Sequence, residues 1–468
     1  MRAGVNIMMD AGILTETLRA VLAARGVDYA DIYQESTTAT SIQIEDSKVE
    51  KLTQGADLGA GLRVISGGRT SYAYTNELTK AAFGELAAAL KAAFGQAKAA
   101  AELDLTRKAP LVDYTIKIDP AGVPLEKKVE IMKAAERAAR GFHKSIEQVS
   151  VIYRETAQKV QIASSEGFLA ADERIQTVFI INVIARENGA VQTGYEPVGG
   201  FLGFELFDEV SAEEVALRAA RKAVMMLKAR RAPGGRMPVV ISSEAGGTMI
   251  HEAVGHGLEA DLSQQGLSVY CGKMGQKIAS GIVSVLDDST IPGKRGSFRF
   301  DDEGTPAQKT VLIKDGILMN FMYDRLSAMK AGAAPTGNGR RQSYRHRPIP
   351  RMTNTMIAPG NTPAAEVLKN TPKGLFVKKM GGGQVNTLTG DFVFDVQEGY
   401  LIENGQVGEP VRGATLAGNG PRVLMDIDMV GQDIGFSIGT CGKDGQGVPV
   451  SDAQPTIRVP ELVVGGES

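Results

Sequence analysis

Near residue 231 the pattern of the chain changes, and that change limits what it can fold into. Before it, helical stretches alternate with strand-like ones; after it, short strand-like stretches alternate with glycine-rich turns. Residues 14–25 carry Leu18, Val21 and Leu22 at helical spacing, and residues 80–100 place Phe83, Leu86, Leu90 and Phe94 on one stripe. Between them lie strand-like runs at 31–35, 41–44, 58–66 and 70–74. Beyond a linker at 109–124 the order recurs. A helix is predicted over 125–140, strands around 149–155, 159–164 and 175–187, and a helix over 212–230. Ser211, with Glu214 three residues on, is a capping-box pair for that last helix.

The recurrence reads in two ways. Ile32-Tyr-Gln-Glu-Ser leading to Ile42-Gln-Ile44 echoes Ile152-Tyr-Arg-Glu-Thr leading to Val160-Gln-Ile162. Either residues 1–108 are duplicated as 124–230, or two edge strands share a common pattern. In both cases residues 1–230 are expected to form one α/β domain on a largely antiparallel sheet, because turns such as Asn188-Gly189 suit hairpins. Residues 231–468 are expected to form a β-rich domain, barrel- or sandwich-like, with hairpin turns at Asp315-Gly316 and Asn404-Gly405 and a single helix at 246–261. The expected class is α+β.

Composition excludes several roles. The 468 residues include 52 basic and 54 acidic side chains, so the formal charge of −2 argues against a nucleic-acid partner. Two cysteines, Cys271 and Cys441, cannot build a disulfide framework, which points to a reducing compartment and hence the cytoplasm. The densest apolar run, residues 178–185, is far shorter than the roughly 20 residues of a membrane span. Asp10, Thr15 and Glu16 interrupt the apolar clusters of the first residues, so no export signal and no membrane partner are expected.

The chemistry concentrates in residues 249–261, which hold two of the four histidines, His251 and His256, with Glu252 after the first. Metalloproteases commonly place His-Glu-x-x-His on a helix, where the imidazoles stand only about 40° apart. Here the spacing is five, and a regular α-helix would set the rings about 140° apart. A π-bulge would bring them together, and Gly255 and Gly257 beside His256 would ease the unwinding. On spacing alone, a metal site and a pair of ordinary core histidines both remain open. Candidates for a third ligand are Glu259, Asp261, Cys271, His346 and Cys441. Of these, Cys441 reads as an accessible thiol in a glycine-rich turn, and Cys271 as half-buried.

The segment His251-Glu252-x-x-x-His256-Gly-x-Glu-Ala-Asp261 resembles the signature of the TldD/PmbA zinc-dependent peptidases, in its catalytic TldD branch. Residues 337–355, 381–385, 398–405 and 440–443 resemble further blocks of that family, in the same order, so the similarity covers essentially the whole chain. The PmbA/TldE branch lacks the His-Glu-x-x-x-His set. The resemblance implies that His251, His256 and Cys441 hold Zn2+ and that Glu252 is the general base. A thiolate among the ligands would make the zinc a weaker Lewis acid, which fits a slow, selective peptidase. The resemblance also implies a dimer, of identical chains or with a PmbA/TldE-type paralogue. Its cavity would admit unfolded peptides such as leader peptides or antitoxins. The competing expectation is a peptide-binding or assembly subunit with a structural zinc.

Around this core the sequence offers substrate-binding candidates. Arg340, Arg341, Arg345, Arg347 and Arg351 lie within twelve residues, and ion pairing within a structured loop is the reading favoured for most of them. Arg340 is the candidate for a substrate carboxylate, and His346 for the oxyanion. Gly382 and Gly383, in a triple glycine with no Gly-Lys-Ser/Thr after it, could let an extended peptide approach a sheet edge.

Overall fold

The computed structural model describes residues 8–92, 94 and 102–466. Within them the first part of the chain builds a seven-stranded sheet. Its strands are longer than the apolar runs predicted: Tyr29–Glu45, Lys48–Ser66, Ile146–Ser164 and Phe168–Glu187 each continue through polar stretches. Residues 48–56 explain the shortfall, being exposed along their whole length, so no alternation marks them as strand. Asn188 and Gly189 both take positive φ, as a two-residue hairpin turn requires. The helix predicted over 80–100 runs Lys80–Lys91, and residues 93 and 95–100 of the prediction lie outside the described residues.

Four helices cover the buried face of this sheet. Leu14, Leu18, Phe83 and Leu86, from Ala11–Leu22 and Lys80–Lys91, pack on Ile32, Leu62 and Val64. Met132, Ala135, Val215 and Ala219, from Leu125–Phe142 and Ala212–Lys228, pack on Val151, Phe179 and Ile181. Ser211 caps the last of these by accepting from the Glu214 N–H. The two echoing segments meet at the centre of the sheet. Tyr29–Glu45 pairs antiparallel with Ile146–Ser164 so that Ile32 faces Ala163 and Gln43 faces Ile152. The same sequence offset therefore separates Ile32 from Ile152 and their partners Gln43 from Ala163, as a two-fold axis between the strands would give. Tyr33 donates to Glu35, and Tyr153 to Glu155, in matching positions.

From residue 230 on, the described residues form further sheets of eight, six and two strands. Gly235–Ile241, Ile457–Gly465, Thr415–Asn419, Asp391–Glu403 and Lys373–Val385 pair in that order and close back on the first, giving a five-stranded barrel. A six-stranded sheet ends in the hairpin Gly435–Lys443 and Gln446–Gln454. Asp315-Gly316 and Asn404-Gly405 turn with positive φ, as expected. The single helix expected at 246–261 is instead a broken rod. A 3-10 turn at Ser243–Ala245 is followed by α, π and 3-10 turns at Thr248–Ile250, His251–Gly255 and His256–Leu258, then a short α-helix at Ala260–Gln264. One apolar cluster, including Ile250, Val254, Val377, Phe394 and Val450, ties rod, barrel and hairpin together.

The seam between the first sheet and the later β systems carries buried ion pairs. Arg63, only 1 % exposed, donates to Asp31 within its own sheet and to Glu303 at 2.6 Å across the seam. Arg174 reaches Asp302 at 2.7 Å, and Arg299 reaches Asp172 at 3.2 Å.

Candidate metal centre

The broken rod is what aims the two imidazoles together. Its π turn is closed by the His256 N–H donating to the His251 carbonyl, a five-residue step that adds the one residue by which the spacing exceeds a regular turn. The ring centroids stand 5.0 Å apart with their planes at 88°. Gly255 does not serve as the conformational relief expected of it, since its φ of −54° is open to any residue. Its role is steric: a Cβ there would overlap Met352 Sδ, and one at Gly257 would stand 2.7 Å from the Tyr270 ring.

Cys441 is not in an open turn. It lies buried on the strand Gly435–Lys443, and the turn of that hairpin falls three residues later at Asp444-Gly445. Close docking of the rod's entry brings the two elements together: Gly246 has φ +69°, and a Cβ on it would overlap Ser437 of the same strand. One ligand-type atom each from His251, His256 and Cys441 then lies within 4.8 Å of the others. Cys441 Sγ is 3.7 Å from His256 Nε2.

The far nitrogen of each ring is fixed by a carboxylate. His251 Nδ1 meets Asp452 at 2.6 Å, and His256 Nδ1 meets Glu259 at 3.0 Å. Such partners set the tautomer and turn Nε2 toward a metal. Burial alone would depress both histidines. The carboxylates and the Cys441 sulfur override it, holding His251 well above its ordinary value and His256 at about 10. Burial likewise raises the Cys441 thiol, but the two imidazoles draw it down to about 6. A metal ion binding such donors displaces their protons. Two imidazoles and one thiolate suit a borderline-soft divalent cation, so the residues present fit a metal.

The other candidates sit elsewhere or behind. Glu259 is fully buried; despite that burial, Lys443 at 3.2 Å and His256 hold it down at about 2. Lys443 also bonds Asp261 at 2.7 Å, so neither carboxylate joins the trio. Cys271 is half-buried and donates to the Ser263 carbonyl. His346 bonds Ser343, and burial with the charges of Arg345 and Arg341 lowers its pKa.

His251 and Glu252 line a cleft of about 850 Å3. Among the described residues no group hydrogen-bonds or ion-pairs with the Glu252 carboxylate. Lys379 to Gly382 line the same cleft, as do residues 195–199 of the first sheet. Gly382 therefore borders the cleft, whereas Gly383 packs under Phe394. Arg340 and His346 do not line it. Arg340 is 5 % exposed and donates to the Met352 and Pro449 carbonyls, while Arg351 donates to the carbonyl of Cys441 itself. Sequence reasoning missed Asp452 and the wall at 195–199, because neither stands in a pattern near the histidines.

Comparison with known proteins gives one answer along the chain. The profile of the PmbA/TldA metallopeptidase C-terminal domain matches residues 234–466, that of the central domain residues 118–227, and that of domain 1 residues 30–101. The metalloprotease TldD homolog of Haemophilus influenzae is 37 % identical over 98 % of each chain. The zinc metalloprotease TldD homolog of Saccharolobus solfataricus is 30 % identical over 94 % of this chain and 97 % of its own. The crystal structure of TldE from Thermococcus kodakarensis shares the fold, with a TM-score of 0.75 at 18 % identity over 97 % of this chain and 99 % of its own. The donor trio lies beside a glutamate with no partner among the described residues, the matching profiles and relatives are named for metallopeptidases along essentially the whole chain, and the chain belongs to the PmbA/TldD metallopeptidase family as a metallopeptidase.

Proposed function

We propose that this metallopeptidase uses zinc, held by His251, His256 and Cys441, to hydrolyse unfolded peptides such as leader peptides or antitoxins. The reading includes a cytoplasmic dimer, with a second copy or a TldE-type paralogue, whose cavity encloses the cleft. The observation that carries it is the convergence of three donor atoms within 4.8 Å beside Glu252, whose carboxylate has no partner among the described residues. The zinc named for the Saccharolobus relative and the fold shared with TldE add support. The same proposal divides the chain near residue 230 and treats its first part as duplicated, which the matched register of the central strands favours.

Zinc bound there would supply Lewis acidity toward a water and a peptide carbonyl. Glu252 takes the proton of the attacking water on a carboxylate oxygen and returns it to the amine nitrogen as the C–N bond breaks. Asp452 and Glu259 keep both rings oriented throughout. Strand Gly235–Ile241 pairs with Lys373–Val385 only through Val377, so residues 379–382 present a strand edge to the cleft, where an extended peptide can add. A structural zinc in a binding subunit would give Glu252 no task. The paired test measures metal and cleavage together. His251→Ala should lose zinc, and Glu252→Ala should keep zinc yet lose cleavage of an unstructured peptide by at least about 10²-fold. Full cleavage by Glu252→Ala would refute the assignment.

A further inference from the structure

Two arginines beside the cleft face one recess that holds no carboxylate among the described residues. Arg154 projects from Ile146–Ser164 of the first sheet, and Arg295 comes from the β-rich part of the chain. Both line a recess of about 220 Å3 that shares Tyr195, Pro197 and residues 438–440 with the cleft. Arg295 is firmly placed. Its Nη1 donates to the Gly439 carbonyl at 2.6 Å and to Thr440 Oγ1 at 3.3 Å, and its N–H donates to Ser451 Oγ at 3.0 Å. Thr440 immediately precedes Cys441, and Ser451 immediately precedes Asp452, so the recess is built on the hairpin that serves the metal centre.

No protein carboxylate among the described residues answers these groups. Arg295 Nε is buried with no acceptor, and among the described residues no carboxylate ion-pairs with Arg154 or Arg295. Burial and the neighbouring Arg154 charge both push Arg295 below its ordinary value. The Tyr195 hydroxyl, under the charge of both guanidinium groups, has no hydrogen-bond partner among the described residues. By contrast, Arg63, Arg174 and Arg299 at the same seam each hold carboxylates. Like charges gathered without compensation cost folding free energy, and an incoming anion removes that cost.

We infer that Arg154, Arg295 and the Tyr195 hydroxyl form a carboxylate-binding subsite for the peptide substrate. The inference rests on the peptidase reading above and adds a charge requirement to it. Guanidinium groups match a carboxylate through paired N–H donors, and the carboxylate is either the substrate's C-terminus or an Asp or Glu side chain.

Binding without turnover tests this, using the zinc-loaded chain carrying Glu252→Gln and short Gly/Ser/Ala peptides bearing the same neutral dye at the N-terminus. One peptide has a free C-terminus and no acidic side chain, one is amidated with a single Glu, and one is amidated with neither. At least one of the first two should bind about tenfold tighter than the third, and which one does so identifies the source of the carboxylate. Adding Arg154→Gln should bring all three within about twofold. Arg154 is the residue to change because its side chain makes no hydrogen bond or ion pair among the described residues. Equal binding of the three peptides, or a preference that survives Arg154→Gln, overturns the subsite. The peptidase reading is judged separately, by whether the chain with Glu252 intact cleaves the amidated neutral peptide.

Discussion

At the scale of single residues, Asp452 shows how a strand position governs a histidine 201 places away. Asp452→Asn can keep the hydrogen bond but removes the charge that stabilises the ring when it holds a cation. The expected result is roughly a 10–100-fold loss of metal affinity, read by competition with a chelating dye, with the circular dichroism spectrum unchanged. This residue was not legible in the sequence. His251, Glu252 and His256 were, because they are local and because histidine is scarce in this chain. Cys441 needed the family resemblance, since nothing within its own segment distinguishes a ligand from a small buried residue. Asp452 sits among ordinary strand residues, and only the folded hairpin brings it to His251.

At the scale of elements, the decisive piece is the π turn. The five-residue spacing already required an irregular helix, and the structure supplies it. The packing that holds it depends on contacts the sequence does not display. Gly255→Ala would press a methyl group into Met352 Sδ, and overpacking of this kind costs about 1–3 kcal/mol. The denaturation midpoint in urea should fall accordingly, and Met352→Ala in the same chain should recover part of the loss. Strand lengths were underestimated for a related reason. Periodicity reports burial on one face, and residues 48–56 have neither face buried. The hairpin turns were read correctly because Asn-Gly and Asp-Gly carry their own conformational signal.

At the scale of the whole molecule, the buried ion pairs of the seam join the first sheet to the parts that hold the candidate site. Removing one partner of a buried pair leaves the other charge stranded, so Arg63→Met should cost about 3–5 kcal/mol. Arg186→Gln, which releases the exposed Glu147, should cost at most about 1 kcal/mol in the same urea titration. None of these cross-seam partners could be paired from sequence, where acids and bases are too numerous to match. The placement of the donors carries one more consequence, for the life of the chain as it is made. His256 and Cys441 lie 185 positions apart, and contacts of such separation form late in folding. A peptidase that attacks unfolded chains would find its own newly synthesised copies suitable prey. On the proposed reading, an unfinished copy has two imidazoles but no thiolate near them, so its metal centre stays incomplete and it cannot cut its neighbours until the hairpin has closed on the rod.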